Sequence, residues 1–563
     1  MGPARSKIQD PRSKIQDPIS TGRVRMLEKR VLTGSLLAVA ATAFFGIAAE
    51  TAATAADSRR IALSPGGASL AGSQTAIRPG GRRPVASTGE GSVGGRIAPW
   101  RPGGGSSDRL LGPDNVASLE LLWEFPTPAG VTAGPVVTDD FVYVSSWDSN
   151  LHALDPLTGE EKWTYDADGF IVGSPTLVEG GDLVFGDWLS NIYRLNATTG
   201  ALVWKTSVGD TAHDSIWSSV AVAGGRVFAG IASHTDVPCT KGRTAAVDLE
   251  TGEFLWARVN VPDRICDTDT SIECDGDADC GGGTCIEAIG AGVTATPAPD
   301  PTGEFVYVNS VGCYTFPSVG DSDSMMKLDA ATGETIWLNR VDEPEQFGFC
   351  PDGSAPECST DMMCIDAGAG DMCQEKAAYH DFGFLNGPLL VDVPALNGGT
   401  SMLVVSGSKN GTLYAFDPDD GHIVWTNEIV PKPVSPAFGA WGLFNGALGY
   451  DGEKIYAALH GPQPDPQPDR ENLQAFDARD GSTVWTSPLP RVWAHVGVGQ
   501  GLVATGNNDD AAFFVHDTQS GQRLASFELP RTTVSPAAIV GDRLYIGYGI
   551  STTAGGVRAY RLP

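Results

Sequence analysis

Apolar and polar residues alternate over short runs along this chain, and seven of the runs stop at an Asp or Asn followed by the same kind of turn. They are LHALDPLTGEEKW (151–163), IYRLNATTGALVW (192–204), TAAVDLETGEFLW (244–256), MKLDAATGETIW (326–337), LYAFDPDDGHIVW (413–425), LQAFDARDGSTVW (473–485) and FFVHDTQSGQRLA (513–525). Alternation with a period of two sends successive side chains to opposite faces of a strand. The residue that ends each run (Asp155, Asn196, Asp248, Asp329, Asp417, Asp477, Asp517) has a side chain suited to accept from the backbone two residues on. Four residues later a Gly (159, 200, 252, 333, 421, 481, 521) supplies a positive φ without steric cost. A second strand follows. It carries Trp163, Trp204, Trp256, Trp337, Trp425 and Trp485, rings large enough to pack on a neighbouring unit; the seventh copy has Ala525 instead.

Two further strand-like runs precede each copy, as GPVVTDD and FVYVSSW do ahead of Leu151. Four strands per unit, repeated radially, make propeller blades. The segment SLELLWEF around Trp123 has a Trp but no turn before it, whereas the C-terminal RLYIGYGI and GGVRAYRLP lack an outer strand. The pattern therefore predicts an all-β, eight-bladed β-propeller of four-stranded antiparallel blades. The strand around Trp123 pairs with the C-terminal blade, which removes an exposed sheet edge.

Of the 563 residues, 113–563 are assigned to this propeller. Residues 1–56 read as an N-terminal extension and an export signal: Lys29 and Arg30, the apolar run 31–49, then small residues ending at Ala56. The tandem RSKIQDPRSKIQDP lies ahead of that signal and points to Met26 as the start. Residues 57–112, rich in Gly, Pro, Ser and Arg, read as a disordered linker. Residues 1–56 hold eight basic and four acidic residues, so their removal takes the net charge from −30 to −34. That balance argues against nucleic acid and anionic lipid as partners. No membrane span is expected, and the exported protein reads as a monomer.

Ten cysteines fit an oxidising compartment. Eight fall in inserts at 263–288 (Cys266, Cys274, Cys280, Cys285) and 349–376 (Cys350, Cys358, Cys364, Cys373). Each insert has too few apolar residues for its own core, so disulfides within it are expected. Zinc is the weaker reading because paired CxxC spacing is lacking. Asp275, Asp277 and Asp279 alternate as in a calcium loop, without its usual Gly and terminal Glu. Cys239 and Cys313 remain to pair with each other. No CxxCH occurs, so no covalent haem is expected.

In a four-stranded blade, the loop leading into the innermost strand and the loop leaving the second strand share a face. The first set includes Thr132, Ser174, Ser218, Thr296, Asp381, Trp441, His495 and Ser535. The second includes Trp147, Asp148, Asp187, Trp188, His234, Cys313, Lys409, His460, Asn507 and Tyr548. Binding groups concentrate on such loops. His213, His234, His380, His460 and His495 lie on or near this face, where they either converge on a metal or cap their own loops.

The motif A-x-D-x-x-T-G-x-x-x-W resembles the repeat of pyrroloquinoline quinone (PQQ) propellers, a family with both enzymatic and non-enzymatic members. Four landmarks look closest to the polyvinyl alcohol dehydrogenase branch of quinoproteins: DVPCTKGRTAAVDLETG (236–252), YHDFGFLNGPLL (379–390), SGSKNGTLYAFDP (406–418) and FGAWGLFNGA (438–447). The resemblance implies alcohol oxidation with PQQ and calcium, an electron acceptor, Asp381 as base on the alcohol and Lys409 as the cation at the quinone oxygen. Trp441, Cys239, Ser218, Trp217 and Asn410 become candidate cofactor contacts, and Asp381 and His234 candidate metal ligands. Four positions depart from the family pattern. Cys239-Thr240 stands for a Cys-Cys pair, Thr294 for the stacking Trp, Gly312 for a metal-binding Asn, and the neighbourhood of His234 for a Glu. The leading expectation is an exported, periplasmic or secreted quinoprotein-like oxidoreductase. The alternatives are a non-catalytic propeller that binds protein or polymer, and a metal site on the face histidines.

Overall fold

The computed structural model describes residues 110–563 apart from 235–238, 268, 313–319, 342–346, 350–361, 367–370, 376–382, 396–398, 430–445, 460–470, 491–493 and 508–509. All described residues belong to one compact unit, Ala56–Pro563. Among them there is no α-helix, only strands and two short 3₁₀ turns, and no helix long and apolar enough to cross a membrane.

Among the described residues eight blade sheets follow one another along the chain, each antiparallel with its strands in sequence order, beside two three-stranded sheets from the inserts. The first blade runs through Val136–Val137, Val142–Ser145, Asn150–Leu154 and Glu161–Asp166. The eighth is the exception. Its inner strands Ala538–Val540, Arg543–Tyr548 and Gly555–Arg561 are completed by Glu120–Thr127, with Trp123 opposite Ala559. Ordered packing begins slightly before residue 113, inside the expected linker: Leu111 is buried, and its N–H donates to Gly541 O at 2.8 Å.

The turns form as the side chains dictate. Asp155 Oδ1 accepts from the N–H groups of Leu157 and Thr158, both at 2.9 Å. Gly159, Gly200, Gly252, Gly333, Gly421, Gly481 and Gly521 have φ between 70° and 76°. The glycine is needed for a second reason. The Trp of one blade lies flat on the turn Gly of the next: Trp123 on Gly159, Trp163 on Gly200, Trp204 on Gly252, Trp256 on Gly333, Trp337 on Gly421, Trp425 on Gly481 and Trp485 on Gly521. A Cβ on Gly333 would sit 2.6 Å from Trp256 Cε3. In six of the seven pairs the indole N–H then donates to a carbonyl of the same turn, as Trp204 does to Leu249 O at 2.9 Å and Trp485 to Thr518 O at 3.0 Å; Trp425 is the exception. This accounts for Ala525: the eighth blade has no such turn for a ring to rest on. Ala525 packs instead against a core that includes Val116 and Leu119, from the segment leading into the Trp123 strand.

The first insert is a three-stranded sheet (Arg264–Cys266, Asp269–Glu273, Cys285–Glu287) closed by disulfides Cys266–Cys280 and Cys274–Cys285. Its clustered sulfurs are thus spent on each other rather than on zinc. Two of its exposed acidic residues cap backbone N–H groups of the same insert. Asp279 Oδ2 accepts from the N–H of Asp275 (3.0 Å) and Gly276 (3.2 Å), and Asp277 Oδ1 from Cys285 (2.8 Å). Cys239 is disulfide-bonded; its expected partner Cys313 lies outside the described residues, as does the pairing in the second insert.

Candidate functional site

Three hairpins that join a blade's second and third strands are built alike. In 146–150, 187–191 and 408–412 the carbonyl of the first residue accepts from the N–H of the fourth: Ser149 to Ser146 (3.2 Å), Ser190 to Asp187 (3.2 Å), Gly411 to Ser408 (3.0 Å). That fourth residue has a positive φ, 74° at Ser149, 56° at Ser190 and 87° at Gly411. The second residue donates its N–H to the loop leading into the blade's innermost strand: Trp147 to Gly130 O (3.0 Å), Trp188 to Phe170 O (2.8 Å), Lys409 to Gly383 O (3.1 Å). The third and fourth blades have longer hairpins but keep this bond, His234 to His213 O (2.8 Å) and Val311 to Gly292 O (2.9 Å). Five consecutive blades therefore bring one corresponding residue each to a common mouth: Trp147, Trp188, His234, Val311 and Lys409.

In the first three blades these residues are aromatic and pack together. Ring centroids lie 5.3 Å apart for Trp147–Trp188, 5.8 Å for Trp188–His234 and 4.1 Å for Trp188–Trp217. The Trp217 indole N–H donates to Ser233 O at 2.8 Å, so its ring is held beside Trp188. His234 Nε2 lies 2.7 Å from Trp188 O, an acceptor that requires a proton on that nitrogen. Burial lowers the His234 pKa. The ring is thus a neutral donor to a carbonyl through Nε2. Asp187 is fully buried and anchors the Trp188 hairpin, accepting from Tyr193 OH (2.8 Å), Gly169 N (3.1 Å) and Leu189 N (2.9 Å).

Beside Trp147 lies an acid–imidazole–acid group that joins Asp148 of the expected face to buried His152 and exposed Glu161. His152 Nδ1 lies 2.7 Å from Glu161 Oε1, and His152 Nε2 lies 3.7 Å from Asp148 Oδ2. Burial opposes the imidazolium, but the contacts with Asp148 and Glu161 outweigh it and raise the pKa. The readable signal was the i, i+4 placement of Asp148 and His152 across a hairpin.

From the third blade to the fifth, backbone bonds knit the mouth loops into a belt. Gly290 N donates to Thr240 O (3.1 Å), Gly242 N to Gly290 O (2.8 Å), Val311 N to Gly292 O (2.9 Å), Phe384 N to Ser310 O (3.3 Å) and Lys409 N to Gly383 O (3.1 Å). Cys239 begins this belt and Lys409, 8% exposed, ends it. The hydroxyl oxygens of Thr240 and Thr294 on the belt are buried without a hydrogen-bond partner. Asn410 has a supporting role: its Oδ1 accepts from Thr412 N and its Nδ2 donates to Tyr414 OH, both at 2.8 Å, which fixes the Lys409 hairpin. Ser218 packs its backbone against Gly173, at a junction of the second and third blades.

Of the face histidines, His213 pairs with Asp210 (2.9 Å) and His495 Nδ1 accepts from Ala447 N (2.9 Å), so each braces a loop instead of converging on a metal. Asp381, Trp441, His380 and His460 lie outside the described residues.

Residues 115–269 match the PQQ_2 family model, described as outer membrane protein assembly factor BamB. The chain is 25% identical over 482 residues to a polyvinylalcohol dehydrogenase of Pseudomonas sp, across 78% of this chain and 67% of that protein. It is 26% identical over 400 residues to a polyvinylalcohol dehydrogenase of Sphingopyxis sp., across 66% of this chain and 55% of that protein. The quinohemoprotein alcohol dehydrogenase of Comamonas testosteroni superposes with a TM-score of 0.60 at 18% identity, across 80% of this chain and 78% of that one. This chain is similar in sequence and in fold to the PQQ-type β-propellers of the quinoprotein alcohol dehydrogenases. The chain spans 55% of the Sphingopyxis relative's length, so that relative's sequence continues well beyond the shared part. Its mouth, with Lys409 on the knitted belt, lies on the face that the repeat pattern assigns to chemistry.

Proposed function

We propose that this propeller is an exported oxidoreductase that oxidises an alcohol, with PQQ and a calcium ion held at the mouth and electrons passed to a separate acceptor. The observation that carries the reading is Lys409. Lys409, 8% exposed, stands at the hairpin position where the first two blades carry Trp, which brings a cationic side chain to the mouth loops. The belt suits an oxygen-rich quinone, since it offers that cation and the two unpaired hydroxyls of Thr240 and Thr294. PQQ, when bound, supplies the two-electron acceptor. The chain's residues do the rest. Asp381 takes the hydroxyl proton of the alcohol. Lys409 stabilises negative charge that develops on an oxygen at the mouth. The rings of Trp147, Trp188 and Trp217 exclude water from one side. Two disulfides within one insert agree with an oxidising compartment, and the relatives named polyvinylalcohol dehydrogenase support an alcohol substrate.

The test is reconstitution of the purified protein with PQQ and calcium, read by a quinone absorption band and by dye-linked alcohol oxidation. Asp381→Asn is expected to abolish turnover with an unchanged Tm. Lys409→Met is expected to lower kcat by about 10²-fold or more, the size typical of losing one preorganised electrostatic contact. Absence of any band in a folded protein would support the non-catalytic binding propeller instead.

A further inference from the structure

Few buried hydroxyls in a folded protein lack a partner, because each unmet bond costs about 1–3 kcal/mol. Thr240 and Thr294 are two such groups. They stand on separate loops that the backbone bonds Thr240 O to Gly290 N and Gly292 O to Val311 N tie into one belt, the belt that ends at Lys409. Both residues remain partly exposed although their oxygens are covered. Rotation of χ1 between staggered wells swings such an oxygen toward the open side without moving the backbone. A threonine whose inward rotamer satisfies nothing loses no internal bond when it turns to a ligand.

We infer that Thr240 and Thr294 donate hydrogen bonds to the oxygen-rich ligand of this mouth, in place of contacts through a sulfur pair and a stacking ring. Held this way, the ligand is gripped at its edge by hydroxyls and by the Lys409 ammonium. Such donors select for carboxylate and carbonyl oxygens over an apolar ring face. The inference rests on PQQ as the ligand.

The experiment measures PQQ binding to the calcium-loaded protein by Trp fluorescence quenching, with the Tm of each PQQ-free protein alongside. Thr240→Val and Thr294→Val keep the shape and delete the hydroxyl. Each is expected to weaken PQQ binding about tenfold, the loss of one good hydrogen bond, while the PQQ-free Tm stays level or rises. Thr294→Ser is expected to restore binding. Wild-type affinity in both valine variants overturns this inference and leaves the PQQ reading standing. A fall in the PQQ-free Tm also overturns it, because the hydroxyls would then serve the fold. A wild-type protein that binds no PQQ overturns the ligand reading itself, and this inference with it.

Discussion

Trp256→Ala is expected to destabilise the propeller by about 3–5 kcal/mol, the cost of deleting a large buried aromatic side chain. The ring is 8% exposed, rests on Gly333, lies 6.1 Å from the Phe228 ring and donates to Ala330 O at 3.2 Å. Its loss therefore opens a cavity between two blades and orphans a turn carbonyl. Gly333→Ala is expected to act from the other side of the same contact, since the turn has φ +76° and a Cβ would run into the indole. Ala525→Trp is the informative control. It adds the missing motif residue where no following turn exists to receive it, and is expected to destabilise by overpacking. The midpoint of urea unfolding reads all three. A Trp256→Ala protein within 1 kcal/mol of the parent, or a stabilised Ala525→Trp protein, would show that ring-on-glycine packing does not hold the blades together.

His516→Leu is expected to stabilise the protein, and more so in acid. Each turn run ends in an apolar residue before its Asp or Asn: Leu154, Leu195, Val247, Leu328, Phe416 and Phe476. His516 occupies that place in the seventh run, fully buried, with neither ring nitrogen hydrogen-bonded. Burial pushes its pKa down from 6.5 to about 3. The unfolded chain therefore binds a proton that the folded chain refuses between those two values. Stability falls as pH drops below 6.5 and levels off near pH 3, at about 1.4 kcal/mol per unit. At pH 5 the penalty is about 2 kcal/mol. His152 runs the opposite way: its raised pKa stabilises below 6.5 and is lost as pH climbs through the folded value. Unfolding curves of His516→Leu and the parent from pH 4 to 8 test this. The gap between them should widen toward acid, and a constant gap would mean that His516 is solvated or paired.

The candidate site divides along the same line as these two effects. The repeat pattern placed Trp147, Trp188, His234 and Lys409 on one face because strand alternation and turn spacing are local properties, set by a few neighbouring side chains. The roles of these residues were not local. His234 is occupied by Trp188 O, 46 residues away, and Asn410 is occupied by its own hairpin. Residue type alone could not show that His234 Nε2 is committed to that carbonyl. The unpaired oxygens of Thr240 and Thr294 left no trace in residue order, since whether a hydroxyl has a partner depends on what the fold brings beside it. His516 was invisible for the same reason: FFVHD alternates as well as LYAFD does.

What residue order alone determined is the blade. Asp or Asn closes the turn through its own side chain, Gly accepts the positive φ, and the spacing between copies counts the sheets, so the eight-fold repeat and the pairing of the Trp123 strand with the C-terminal blade were readable before any coordinates. What only the tertiary structure decided is which groups are left with unmet bonds. Hydrogen-bond satisfaction and burial are sums over neighbours from distant blades, and those neighbours are chosen by packing, not by sequence proximity.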